Sequence, residues 1–178
     1  MIDPREHAEV EAFYRAHARM VLRWVIRLGG PDLDAEDVAH DVFGVAMRRI
    51  RTFRAETGTP EAWLWGITRR VVANARRRAR LRRFIGLHLV APIDSAEIRA
   101  DRRVEQLRLR RLVQTVLDDL SDDHREVMVL VDLDERSAPE AAEMLGISVG
   151  TVYSRLHYAR KRFGERLGSI RPALGQAA

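Results

Sequence analysis

A chain of 178 residues can bury a useful core, and its length suits one medium domain or two small ones. With 31 Lys+Arg against 26 Asp+Glu the formal net charge is +5, which favours a polyanionic partner but makes the positive charge local, not a uniform coat. The absence of cysteine excludes a disulfide framework and a thiolate zinc site. The opening MIDPREHAEVE lacks the apolar core of a signal peptide, and no apolar run approaches the roughly 18 residues that span a bilayer, so a soluble intracellular protein with no direct membrane insertion is expected.

The first helix is predicted from Glu6 to Leu28, where Val10, Phe13, Tyr14, His17, Val21, Trp24, Val25 and Leu28 recur near helical intervals before Gly29-Gly30-Pro31 stops it. Asp34 caps a second helix whose buried stripe is Val38, Val42, Val45, Ala46 and Ile50. Asp37, His40 and Asp41 lie near its exposed side, a pattern that an ordinary solvated first turn also produces. Thr59 and Pro60 open a third helix that packs through Leu64, Ile67, Thr68, Val71 and Ala75. Its other faces carry Trp63, Trp65, Arg69, Arg70, Asn74, Arg76 and Arg77, a mixture of aromatic planes and donors that stacks on bases and neutralises phosphates, with at least one tryptophan expected in the core. Six of the eight residues from Arg76 to Arg83 are arginine, a density suited to a phosphate backbone, although an RNA or membrane surface would satisfy the charge equally well.

Gly86, Pro92 and Asp94-Ser95 break the helical rhythm, which places an interdomain linker at 84–103 between domains at 1–83 and 104–178. Phe84, Ile85, Leu87, Leu89, Val90 and Ile93 make it too apolar for a plain tether and predict that it docks. Beyond it, Val104, Leu107, Leu109, Leu112, Val113, Val116, Leu117 and Leu120 predict a helix, and Ser121 caps another containing Val127, Met128, Leu130 and Val131. Ser137-Ala-Pro-Glu140 has capping-box spacing, and Gly146 ends the short helix that follows. In the next helix Ser148 is the N-cap, while Ile147 and Val152 have the spacing of a hydrophobic staple. Val152, Leu156, Ala159 and Phe163 form its packed stripe, leaving Tyr153, Ser154, His157 and Lys161 elsewhere on the circumference. Helix, glycine turn and helix make a candidate DNA-reading helix-turn-helix, a spacing shared by any two short helices joined through glycine. The fold class is therefore all-α, with two small helical domains joined by a linker and the helix-turn-helix in the second.

Two separated segments together resemble the extracytoplasmic-function group of bacterial sigma factors, the dissociable promoter-recognition subunits of RNA polymerase. DAEDVAHDVFGVAMRRIRTFR followed by PEAWLWGITRRVVANARRR is similar to the family's region 2, and SDDHREVMVLVDLDERSAPEAAEMLGISVGTVYSRLHYARKR resembles its region 4. The resemblance covers nearly the whole chain. It implies that Asp37, His40 and Asp41 contact the clamp helices of core RNA polymerase. It further implies that Arg54, Trp63, Trp65, Arg69, Arg70, Asn74, Arg76 and Arg77 serve the −10 element, where a non-template base leaves the stack. Ser148, Thr151, Tyr153, Ser154, Arg155, His157, Tyr158 and Lys161 would then stand near bases or phosphates of promoter DNA at the −35 element. An anti-sigma factor and a cytoplasmic location are implied in the same way.

Tyr153 and Tyr158 stand where many members of that family carry basic residues, Pro139-Glu-Ala-Ala142 replaces an aromatic-acidic-acidic-apolar start, and His40 replaces a frequent glutamine. The end of the chain soon after the last helix is expected to leave no room for an appended regulatory domain. His7, His17, His40, His88, His124 and His157 are scattered without metal-ligand spacing, and no phosphate-cradling glycine loop is present, so neither an enzyme nor a metal, cofactor or small-molecule substrate is expected. A stand-alone helix-turn-helix regulator and a polymerase-binding adaptor are the alternatives: the first needs no polymerase and the second no DNA.

Overall fold

The computed structural model describes residues 4–30, 33–50, 53, 56, 58–84, 109 and 112–175. Their regular structure is helical, and the chain divides into two units: the first carries α1 (Pro4–Gly29), α2 (Ala35–Arg49) and α3 (Pro60–Phe84). The second carries α4 (112–118), α5 (Asp122–Met128), a π-helical turn (Val129–Leu133), most of α6 (Ala138–Leu145) and α7 (Val149–Gly175). Phe84, the first residue of the expected linker, is the last of α3 and is 89% exposed. The remaining linker residues, with Val104 and Leu107, lie outside the described residues.

Short polar side chains start these helices by accepting from N–H groups that have no partner within the first turn. The Asp34 carboxylate accepts from Glu36 and Asp37 at 3.0 and 3.1 Å, and the Thr59 hydroxyl accepts from Ala62 at 3.2 Å. The Ser121 hydroxyl accepts from His124 at 3.4 Å. At α6 the box closes in both directions: the Glu140 carboxylate accepts from the Ser137 N–H at 2.8 Å and hydroxyl at 2.6 Å, while the Ser137 hydroxyl accepts from the Glu140 N–H at 3.4 Å. α6 stops because Gly146 adopts φ 68°, which brings the Ile147 N–H to the Ala142 carbonyl at 3.1 Å. The corner that aims α7 is thus set by one glycine and two hydroxyl caps.

In the first unit all three helices pack on one another. Val21, Trp24, Val25 and Leu28 of α1 meet Val38, Val42, Phe43 and Ala46 of α2 and Leu64, Trp65, Ile67, Thr68 and Val72 of α3 in a closed core. The buried faces are displaced from the expected stripes: Phe43 joins α2, and Trp65 and Val72 join α3, while Val45, Ile50, Val71 and Ala75 stay half-buried. The cause is geometric, since the arc of a helix that is buried depends on where its neighbours lie. Tyr14 is 41% exposed and meets Phe43 edge-on at 4.6 Å, so it borders the core without entering it. Thr68 is buried at no polar cost because its hydroxyl donates to the Leu64 carbonyl at 2.8 Å.

The second unit is organised around Arg125, which is 2% exposed. Its guanidinium donates to the carbonyls of Leu117 at 2.8 Å and of Asp118 and Leu120 at 3.1 Å, where α4 ends. Asp118 and Asp122, each 3.7 Å away, balance the charge. A buried cation is tolerated only when its donors are filled, and these carbonyls are the groups that α4 cannot satisfy by itself. Around it Val116, Leu117, Leu120, Val127, Met128, Val129, Leu130, Val152, Leu156 and Ala159 are buried.

Four consecutive buried residues, Val127 to Leu130, run from α5 into the wider π turn, which closes through the Asp134 N–H to the Val129 carbonyl and the Arg136 N–H to the Leu130 carbonyl, both at 2.9 Å. Glu135 takes a left-handed φ of 56° to end it. α7 continues well past Phe163, its extension held by Arg166 pairing with Asp119 and by Arg162 with Glu165 at 3.7 Å.

Arg125→Ala is expected to cost roughly 3 kcal/mol, because it takes a charged donor from each of three carbonyls and leaves a cavity beneath them. Denaturant titration of the full chain should show that loss in far-UV ellipticity more than in tryptophan emission, since Trp24, Trp63 and Trp65 all lie in the first unit. At α6, hydrogen bonds from the Ser137 hydroxyl and N–H, with the charge of Arg136, hold the Glu140 carboxyl below its ordinary value. A depressed folded pKa means that the cap contributes fully above the ordinary glutamate range and is lost as pH falls through the lowered value. Acid titration followed by amide chemical shifts should therefore fray the start of α6 as pH falls below the ordinary glutamate range, and Glu140→Gln should flatten that dependence.

Candidate nucleic-acid interface

α7 presents two sides separated by helical arithmetic of about 100° per residue. Val152, Leu156 and Ala159 are buried, and opposite them Tyr153, Ser154, His157, Tyr158 and Lys161 form an exposed strip. Its start is rigid: the Ser148 hydroxyl accepts from the Thr151 N–H at 3.1 Å and touches the Thr151 hydroxyl at 2.8 Å, while the Ser154 hydroxyl donates to the Thr151 carbonyl at 3.0 Å. Ser148 and Thr151 are thereby engaged in holding the turn. The Tyr158 ring stacks on His124 at 6.2 Å and meets His157 edge-on at 5.8 Å, so its orientation is set by neighbours on both sides. Arg155 has a partner within the unit, its guanidinium lying 2.7 Å from the Asp123 carboxylate. Arg160 is held likewise by a fork onto Asp132 at 2.6 and 3.1 Å, which raises its pKa above the ordinary arginine value.

α3 sorts the −10 residues in the same way. Trp63, Arg70, Asn74 and Arg77 share one exposed or half-exposed face, and Arg69 is half-buried on its flank. Trp65 corrects an expectation: it is 0% exposed and packs edge-on against Trp24 at 5.1 Å, so it forms core and offers no stacking platform. Its indole N–H has no hydrogen-bond partner among the described residues. Half-buried Arg76 donates at 2.8 Å to the Leu28 carbonyl near the end of α1 and so ties α3 to α1. Arg54 lies outside the described residues. Trp63 stands between Phe13 at 6.4 Å and Phe53 at 5.4 Å, an aromatic wall that the sequence reading overlooked. Its only advance signal was Phe53, an aromatic just before the turn that opens α3.

On α2, Asp37, His40 and Asp41 are all exposed. The His40 Nδ1 lies 2.9 Å from the Glu36 carbonyl, and because a carbonyl can only accept, Nδ1 carries the proton and Nε2 remains available. Among the described residues no group of His, Asp and Glu could hold a metal ion.

Residues 13–82 match the Sigma-70 region 2 family, and residues 110–163 match Sigma-70, region 4. Over 156 residues the chain is 31% identical to the ECF RNA polymerase sigma factor SigL of Mycobacterium tuberculosis, covering 86% of each chain. The chain belongs to the ECF RNA polymerase sigma factors. It is also 33% identical to SigE of Mycolicibacterium smegmatis over 170 residues, covering 92% of this chain and 63% of SigE. Its fold is similar to that of CnrH, solved in complex with the cytosolic domain of CnrY, with a TM-score of 0.66 at 25% identity over 92% of this chain and 90% of that one. As an alternative sigma factor the protein acts in transcription initiation, binding core RNA polymerase and promoter DNA, and such factors are not enzymes. No described helix is long and apolar enough to cross a membrane.

The two classes of arginine on α3 of this sigma factor should separate in solution. Arg76→Ala removes the donor to Leu28 and is expected to lower stability by about 1–2 kcal/mol, whereas the exposed Arg77→Ala should change it by less than about 0.5 kcal/mol. Thermal unfolding of both full-length variants checks this, and equal shifts would count against the sorting.

Proposed function

We propose that the three exposed faces divide the work of initiation, with 1–83 as the polymerase and −10 domain, 84–103 as the linker and 104–178 as the −35 domain. Asp37, His40 and Asp41 on α2 meet the basic surface of the polymerase clamp. Complementary charge there steers assembly and sets orientation. Trp63, Arg70, Asn74 and Arg77, together with Arg69 and Arg54, engage the −10 strand. Extruding a base costs a few kcal/mol, which stacking and phosphate neutralisation offset. Tyr153, Ser154, His157, Tyr158 and Lys161 enter the −35 major groove, while Ser148, Thr151 and Arg155 hold the helix that carries them.

The observation that carries this reading is the sorting on α3, where Trp63, Arg70, Asn74 and Arg77 share the accessible face while Trp65 turns into the core. A cytoplasmic location follows from a polymerase partner. We also propose an anti-sigma partner that covers the polymerase-binding face, an idea supported by the similar CnrH having been solved with the cytosolic domain of another protein.

Asp37→Arg with Asp41→Arg should weaken binding to core polymerase by about tenfold or more while ellipticity and melting stay unchanged, because both side chains are solvent-facing. Core-binding titrations and transcription from a randomised promoter library read the outcome. Unchanged affinity in the folded double variant would remove the α2 assignment.

A further inference from the structure

The exposed strip of α7 is poor in the chemistry that usually takes guanine. A guanine edge in the major groove is read best by a forked guanidinium on O6 and N7, whereas thymine offers a methyl group that apolar surface can cover. Counting about 100° per residue from Val152 puts Tyr153, His157, Lys161, Ser154 and Tyr158 across the side opposite the core, and puts Arg155 and Arg160 on the two flanks. The flanks are where neighbouring elements supply acids, Asp123 at the start of α5 and Asp132 in the π turn. Both guanidinium groups are drawn to them, at 2.7 Å and by a fork at 2.6 and 3.1 Å. What faces outward is two phenol rings, 61% and 60% exposed, a serine, an imidazole and one ammonium.

We propose that α7 reads its duplex through thymine methyl groups, with Tyr153 and Tyr158 as the apolar readers, because the ion pairs to Asp123 and Asp132 withhold the arginines that would select guanine. The inference rests on the assignment of α7 to the −35 duplex and specifies which sequences that helix accepts. Tyr158 is presented ready-aimed, with one neighbour stacked at 6.2 Å and another edge-on at 5.8 Å, so little side-chain freedom is lost when it meets a base pair. Tyr153 presents its ring further toward the N-terminus of the helix, the end that contacts base edges in helix-turn-helix proteins. Ser154 and His157 add single hydrogen bonds, which discriminate less than a fork. Lys161, two turns further along, neutralises a phosphate. Asp123 is a positioning residue in this scheme, acting on DNA only through Arg155.

The test uses holoenzyme assembled from the full chain and core polymerase on a promoter library randomised upstream. The selected upstream element is expected to be rich in A·T pairs. Replacing its thymines one at a time with uracil, which deletes only the methyl group, should weaken promoter binding about fourfold at one or two positions. Tyr153→Ala should abolish that sensitivity at one of them, and Tyr153→Arg should select guanine there. Asp123→Asn should release Arg155, steepening the dependence of log affinity on log salt by about 0.9 and admitting guanine. A wild-type element led by guanine pairs, or thymine-to-uracil changes without effect, would overturn the proposal while leaving α7 as the −35 reader. Protein-dependent transcripts with no selected upstream element would overturn the assignment of α7 and the inference with it.

Discussion

The guanidinium of Arg125 does for α4 what no residue of α4 can do: it fills the carbonyls that a helix leaves open at its C-terminal end, from a buried position between α4 and α5. In a small unit those carbonyls face either water or the core, and here α5 and α7 shut water out. The same device recurs in the first unit on a smaller scale, where Arg76 of α3 reaches Leu28 near the end of α1. Each unit thus lends a cation from a later helix to an earlier one, between neighbouring helices in the second unit and between α3 and α1 in the first, which gives the small cores a fixed arrangement.

That use of arginine bears directly on function, because a basic chain has to keep its structural cations apart from those that meet nucleic acid. Arg125, Arg76, Arg155, Arg160 and Arg166 all have partners inside their own units. Arg70, Arg77, Arg78 and Arg80 of α3 and Lys161 of α7 are exposed instead. Net charge alone therefore overstates the cationic surface available to promoter DNA. α3 keeps an electrostatic face suited to a single strand being drawn out of a duplex, whereas α7 has an aromatic and hydroxylic face suited to the major groove.

Much of the fold could be read from the letters because it is set by contacts within one turn. Asp34, Thr59, Ser121, Ser137 and Ser148 begin helices by reaching backbone groups two or three residues away, and Gly146 ends one through its own φ. The family resemblance was legible for a related reason, since two motifs in the right order constrain far more than either does alone. The π turn after Met128 was not, because four adjacent apolar residues carry no period.

The candidate site was legible in composition and only partly in assignment. Trp63 and Trp65 are two positions apart on a helix and must point to different sides, but which side is core depends on where α1 lies, and α1 claims Trp65 through Trp24. Arg155 and Lys161 look alike as letters, yet one reaches an aspartate more than thirty residues earlier in the chain and the other reaches solvent. The letters alone are enough for where helices start, where Gly146 stops α6, which family the chain resembles, and which residue types gather at each face. Tertiary structure alone decided which side chains remain free to touch a partner, because burial and ion pairing depend on neighbours that are distant in the chain and adjacent only once the helices have packed.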